Sequence, residues 1–405
     1  MIYLLFFYPI FMSLIWIVFS IVFFIKSEVS FKKKTTSKPF ISILIPCYNE
    51  EAHIDKTINQ LLTTIDYPNY EIITINDGSS DNTLKHLINL TNQYQNVRVC
   101  NVETNLGKAH ALIQGAIFSK AEFLLCLDAD ATVDKHALHA MVRNFLGKSN
   151  QDVGAVTGNP IVKNRKTFIG KIQTVEFLSI IGLIKRAQSI FGTLNTVSGV
   201  CVMFRKGALL DVGWWDQECI TEDISITWRL QRKHWRILFE PDAVCWMLVP
   251  EKLSSLFKQR LRWSQGGIEV LLKNADIFLG RQFNFGLIVL YLEQLSSIIW
   301  SILWYSLLPV ILAKGIIFRD IQMITLILTV IITVFSIFQY LLSIFINLKY
   351  DFKLLGTSFF AIWYILLYWV INPITLLIAI PYGIRTYLKG GQAVWESPDR
   401  GGGNG

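Results

Sequence analysis

Ile2 to Ile25 runs without a single charged residue, interrupted only by two serines. As a helix that stretch reaches across a bilayer core of about 30 Å. No basic residue precedes it and no small-residue cleavage site follows it, which argues against a cleaved signal peptide. Lys26, Lys32, Lys33 and Lys34 come next, so the bias of basic residues toward the inner face predicts an external N-terminus and a cytoplasmic continuation. Long apolar blocks return only late, at Gly286–Ala313, Met323–Ile346 and Leu354–Ile384. The last would be about 46 Å long as one straight helix, too much for one upright span. Asn372-Pro373 offers a break in its middle, and a chain folding back there keeps Arg385, Lys389 and Arg400 inside. Three or four spans are therefore expected at this end. Glu293, inside the first block, is either paired with a neighbouring helix or turned toward a pore or partner.

The pattern between Ser37 and Arg281 is different. Short apolar runs at Phe40–Pro46, Tyr70–Asn76, Val97–Val102, Phe123–Leu127, Val153–Thr157 and Val197–Phe204 alternate with amphipathic stretches such as Glu51–Ile65 and Asn82–Tyr94. Fully apolar strands separated by helices predict an α/β domain with a mostly parallel sheet covered on both faces. The chain thus divides into an N-terminal span with its basic flank (1–36), the α/β domain (37–250), an amphipathic interfacial helix region (251–282), a C-terminal transmembrane bundle (283–388) and a glycine-rich tail expected to be flexible (389–405).

Composition agrees with a membrane protein. Of 405 residues, 52% are hydrophobic and only 17% charged, against about 25% charged in a soluble domain. The six cysteines lie in the middle region without any Cys-x-x-Cys pair, which points to reduced, buried thiols rather than a zinc or redox site. The net charge of +8 sits largely beside the apolar blocks, where it suits anionic lipid rather than nucleic acid.

In a parallel sheet, ligands bind beyond the carboxyl ends of the strands. Asp77 follows the run Tyr70–Asn76, and Asp128-Ala-Asp130 follows Phe123–Leu127. Thr221-Glu222-Asp223 opens a further helix-like stretch. Asp77, Asp128, Asp130 and Asp223 are expected to converge on one edge, where their mutual repulsion calls for something positive among them. A hard divalent cation held by one or two carboxylates and by substrate phosphates would serve. Asp223 is a candidate general base, with Glu222 either beside it or turned into the helix N-terminus; both acids would equally suit a first helical turn. Asp77-Gly-Ser-Ser-Asp81 reads equally well as a turn and N-cap. Asn49 and Lys108 are secondary candidates; Asn105-Leu-Gly107-Lys108 lacks the glycine spacing of a P-loop. Downstream, Gln259-Arg-Leu-Arg262-Trp263 lies on a basic amphipathic stretch that either lies in the membrane interface or presents Arg262 to a diphosphate and Trp263 to a sugar ring.

Taken in order, Pro46-Cys-Tyr-Asn49-Glu50, Asn76-Asp77-Gly-Ser-Ser-Asp81, Asp128-Ala-Asp130, Thr221-Glu-Asp223 and Gln259-Arg-Leu-Arg-Trp263 resemble the motifs of the processive family 2 glycosyltransferases, which include the cellulose, chitin and hyaluronan synthases. Gly158-Asn-Pro160, Cys245-Trp-Met-Leu-Val-Pro250 and Trp395-Glu-Ser-Pro-Asp-Arg400 look most like the branch that builds β-1,6-linked N-acetylglucosamine in bacteria. The resemblance implies a GT-A fold, a cytoplasmic catalytic domain in a multi-pass protein of the bacterial cell membrane, and a UDP-N-acetylglucosamine donor. It also implies an inverting transfer to a growing polysaccharide and a small membrane accessory subunit. By position it implies that Asp77 contacts the uracil and Asp128 the ribose or diphosphate region. Asp130 would bind Mg²⁺ or Mn²⁺, and Asp223 would deprotonate the acceptor. Gln259, Arg262 and Trp263 would hold the diphosphate and acceptor end. The alternatives are another processive synthase, or a transferase moving one sugar onto a lipid phosphate.

Overall fold

The computed structural model describes residues 2–29, 37–279 and 284–390. Lys32–Lys34, Arg281, Arg400, the Trp395–Arg400 motif and nearly all of the expected tail lie outside them. The chain forms two compact units, one of residues 31–164, 192–250 and 386–405, the other of residues 1–30, 165–191 and 251–385.

The first unit is built on an eight-stranded sheet of order β3-β2-β1-β4-β7-β6-β8-β5. Its strands are β1 (Ile41–Cys47), β2 (Tyr70–Asp77), β3 (Val97–Val102), β4 (Phe123–Leu127), β5 (Thr132–Val133), β6 (Val153–Val162), β7 (Cys201–Arg205) and β8 (Arg236–Met247). β1 pairs in parallel with β2 and β4, β2 with β3, and β6 with β8. The expected mostly parallel sheet is therefore present, with two reversals: the two-residue β5 runs antiparallel to β8, and β7 runs antiparallel to both β4 and β6. All seven residues of β1 and all ten of β6 are buried, which is why both read as unbroken apolar runs instead of alternating ones.

The reversal of β7 shapes the rim. Leu127, the last residue of β4, faces Cys201, the first of β7. The residues that lead into β7 therefore arrive at the same edge as those that leave β4, and the Asp128 amide donates to the Val200 carbonyl at 3.4 Å.

The second unit is helical. Among the described residues, three helices are long and apolar enough to cross a membrane: Leu5–Glu28, Phe285–Ile317 and Arg319–Asn347. The chain then passes through a 3₁₀ stretch at Phe352–Phe360 into the helix Ala361–Lys389, which contains Pro373 and Pro381. This corrects the expected fold-back at Asn372-Pro373. A proline removes one backbone hydrogen bond, and neighbouring helices in a bundle allow a helix to continue past it.

The segment 165–191, expected within the α/β domain, packs instead in this unit. Val175 and Leu178 from the helix Phe168–Ser179 cluster with Tyr340, Ile344 and Leu354. Arg186 Nε meets Glu28 Oε1 at 2.6 Å, with both side chains fully buried. The Lys349 ammonium and the Tyr350 hydroxyl each approach Glu28 Oε2 at 2.8 Å. A charge pair out of water is tolerated only when its remaining valences are filled in this way. Glu293 is likewise a helix-paired carboxylate, approached by Gln188 Nε2 at 3.3 and 3.4 Å.

Candidate active site

Asn49, Asp77 and Asp128 stand at or just beyond the carboxyl ends of β1, β2 and β4, the three strands around the point where the strand order reverses. Asn49 has φ +55°, a left-handed conformation that asparagine accepts more readily than most residues. Its amide donates to Ser79 Oγ at 3.1 Å, and its Oδ1 accepts from the Ser80 amide at 2.9 Å. The Pro46–Glu50 and Asn76–Asp81 motifs are thereby sewn together side by side.

Asp77 is fully buried. Its carboxylate accepts from the amides of Leu106 at 3.3 Å and Gly107 at 3.1 Å. Burial raises its carboxyl above the usual range, against the lowering pull of those two amides and His110. Its visible work is to pin the 104–107 loop. Gly78 sits beneath that loop at φ +64°, where a Cβ would lie 2.4 Å from the Asn105 nitrogen. Gly78→Ala combines a forbidden backbone angle with a backbone clash. It is expected to cost at least about 1–3 kcal/mol, read as a lowered melting temperature of the detergent-purified protein, and an unchanged melting temperature would contradict this packing.

The pinned loop opens the helix Lys108–Phe118 and so aims Lys108. Its Nζ lies 2.7 Å from Asp128 Oδ1 and 3.0 Å from Glu222 Oε1, with the Gly199 carbonyl at 3.4 Å. This ammonium places a positive charge between two carboxylates of the rim. Burial alone would lower its pKa, but the carboxylates of Asp128 and Glu222 outweigh that and hold it above the ordinary lysine range. Glu222, in the first turn of its helix, thus shares this lysine with Asp128.

Asp223 is the next residue, in the first turn of the helix Glu222–Arg232. Its Oδ1 accepts from the Ile224 amide at 2.9 Å, and a Cβ on Gly199 would lie 3.2 Å from its Oδ2. Gly199 was not anticipated from the sequence, although a glycine inside the apolar run Val197–Phe204 is the kind of signal that marks a close backbone approach. Asp130 follows Asp128 by two residues, where the Ala131 amide closes a turn onto the Asp128 carbonyl at 3.0 Å. Burial pushes the nearby Cys126 and Cys245 thiols well above the usual thiol range. All six cysteines are unbridged.

The structure therefore groups Asp128, Glu222, Asp223, Gly199 and Lys108, and sets Asp77 behind them as a loop anchor. Gln259, Arg262 and Trp263 belong to the helical unit, on the helix Leu253–Lys273. Arg262 is exposed and Trp263 half-buried. Gln259 Oε1 is buried without a hydrogen-bond partner. Leu256, Ile268, Val270 and Leu271 are buried, so this helix is packed into its unit rather than merely resting in an interface.

A mostly parallel sheet whose strand order reverses beside this acidic rim has the architecture of the GT-A glycosyltransferases, and the sequence family agrees. The family described as glycosyltransferase like family 2 matches residues 39–266, and the chain belongs to it. Over 98% of its length the chain is 42% identical to a poly-β-1,6-N-acetyl-D-glucosamine synthase of Staphylococcus epidermidis, of which 97% is covered. A synthase of the same name from Staphylococcus aureus is 41% identical, with the same 98% and 97% coverage. Among solved structures, a mannosyltransferase of Pyrobaculum calidifontis in complex with GDP-Man and Mn²⁺ superposes with a TM-score of 0.56 at 16% identity, over 87% of this chain and 100% of that one. That likeness is one of fold.

Proposed function

We propose that this chain is a membrane-embedded, inverting and processive synthase that polymerises N-acetylglucosamine from UDP-N-acetylglucosamine into a β-1,6-linked chain, with its α/β domain in the cytoplasm. The observation that carries this reading is likeness along nearly the whole chain to the staphylococcal synthases, joined to the Asp128–Lys108–Glu222 clamp at the nucleotide end of the sheet.

Mg²⁺ or Mn²⁺ takes one or two carboxylates from a protein and leaves its other positions to water and substrate phosphates. Asp130 would hold the ion, with Asp128 oriented toward the donor's ribose or diphosphate. The bound ion would neutralise the departing diphosphate. Asp223 accepts the proton of the acceptor 6-hydroxyl as that oxygen attacks the anomeric carbon, and UDP leaves from the opposite face, so an α-linked donor gives a β-link. Asp77 keeps the loop against which the uracil rests. Gln259, Arg262 and Trp263 are assigned by their motif to the diphosphate and the acceptor end. A small membrane accessory subunit completes the assembly.

Membranes holding the protein should release UDP from UDP-N-acetylglucosamine faster than from other UDP-sugars. Asp130→Asn should weaken UDP binding in the presence of Mn²⁺ and leave the metal-free affinity unchanged; equal Mn²⁺-dependent binding by both proteins would remove Asp130 from the metal.

A further inference from the structure

One residue inside the Gln259–Trp263 motif has no part in the reaction as described, yet it is the most enclosed of the five. Arg260 is buried at 4% exposure on the helix Leu253–Lys273. Its Nη2 donates to Glu176 Oε2 at 2.5 Å, and Glu176, on the helix Phe168–Ser179, is itself 6% exposed. The guanidinium carbon of Arg260 stands over the Trp263 indole, 4.1 Å from the ring centre. Phe177, next to Glu176, meets the same indole edge-on at 6.3 Å and 86°. Residues three apart on a helix lie on one face, so Arg260 and Trp263 are neighbours by construction. Glu176 and Phe177 come from a separate segment more than eighty positions earlier in the chain. One face of the indole is therefore covered by a cation that a buried carboxylate fixes, and an aromatic ring stands perpendicular to it.

We propose that Glu176 and Arg260 are positioning residues for Trp263, setting the indole so that its other face receives the terminal sugar of the growing chain. The inference rests on the reading of Trp263 as an acceptor platform. A buried ion pair alone could be a structural fixture, and apolar residues of similar volume commonly replace such pairs without loss of fold. An arginine over an indole is not replaceable in that way. Lysine keeps the charge but loses the planar group that stacks.

The test compares three variants in membrane vesicles, with UDP-N-acetylglucosamine and an added N-acetylglucosamine oligosaccharide acceptor. The paired replacement Glu176→Leu with Arg260→Met should raise the acceptor KM roughly three- to thirtyfold, the range that a cation over an indole face is worth. It should also shorten the product while leaving the donor KM unchanged. Arg260→Lys, which retains the contact to Glu176, should move the same two readouts in the same direction, and it carries the test if the paired variant does not accumulate. Wild-type acceptor KM and product length in Arg260→Lys, or in an accumulating paired variant, would overturn the proposal. Trp263→Ala separates the two levels: if it too leaves acceptor KM and product length unchanged, the platform reading itself is wrong. If it shortens the product while the other variants do not, only the positioning role falls.

Discussion

Asp223→Asn is expected to lower turnover by about 10²–10⁴-fold, the worth of a positioned general base, while donor binding stays as it was. Asparagine keeps the size of the side chain and an oxygen that can accept from the Ile224 amide, as Oδ1 does at 2.9 Å. What it loses is the ability to take a proton. The close approach of the Gly199 backbone to Asp223 leaves little room for the replacement to turn elsewhere. Turnover in membranes and UDP affinity of the purified variant are the two measurements. Wild-type turnover would remove Asp223 from the chemistry, and a parallel loss of UDP affinity would make it a binding residue instead.

The second large effect is expected at Lys108. Lys108→Met leaves Asp128 and Glu222 facing each other without the ammonium that lies 2.7 and 3.0 Å from them. Removing one partner of a buried ionic group costs about 3–5 kcal/mol. These side chains keep 16–25% exposure, which favours the lower end. About 3 kcal/mol corresponds to roughly 6–12 °C in Tm for a domain of this size. The pH dependence has a definite sign. Because the folded protein holds the Lys108 pKa above its usual value, the clamp's contribution is complete below the ordinary lysine pKa and is lost only as pH rises through the raised one. Wild-type melting should show no step from this lysine between about pH 6 and pH 9, a window that ends well below the about 10.4 of an unperturbed lysine. An unchanged Tm in Lys108→Met would mean that the clamp contributes nothing.

How much of this was legible beforehand follows physical lines. β1, β2 and β4 were readable because each is a short, largely apolar run, and burial on both faces writes itself into sequence. β8 was not readable as one strand. Arg236–Met247 is interrupted by Glu240-Pro-Asp242. The interruption is absorbed by a register shift against β6 and by Arg143, which pairs with Glu240 and Asp242 at 2.8 Å each. Strand direction was equally hidden, since the reversal of β7 depends on how the whole connection from β6 is routed. Residues 165–191 fell within a long stretch of soluble-looking composition, and only the distant Glu28 reveals Arg186 as a buried helix contact.

The site divides in the same way. Asp128 and Asp223 could be found because a carboxylate just past a buried strand, or in a first helical turn, is a local signal. The lysine bridging Asp128 to Glu222 is a contact between remote segments. Local pattern could demand a positive charge at the rim but could not say which one would supply it.

The most direct test of the account is the product itself. Purified membranes are incubated with single UDP-sugars and Mg²⁺, and the material formed is digested with linkage-specific glycosidases. The account predicts that UDP-N-acetylglucosamine alone is polymerised, into chains that a β-1,6-N-acetylglucosaminidase cuts down. A polymer resistant to that enzyme, a polymer from a different UDP-sugar, or a lipid carrying one sugar only would contradict it.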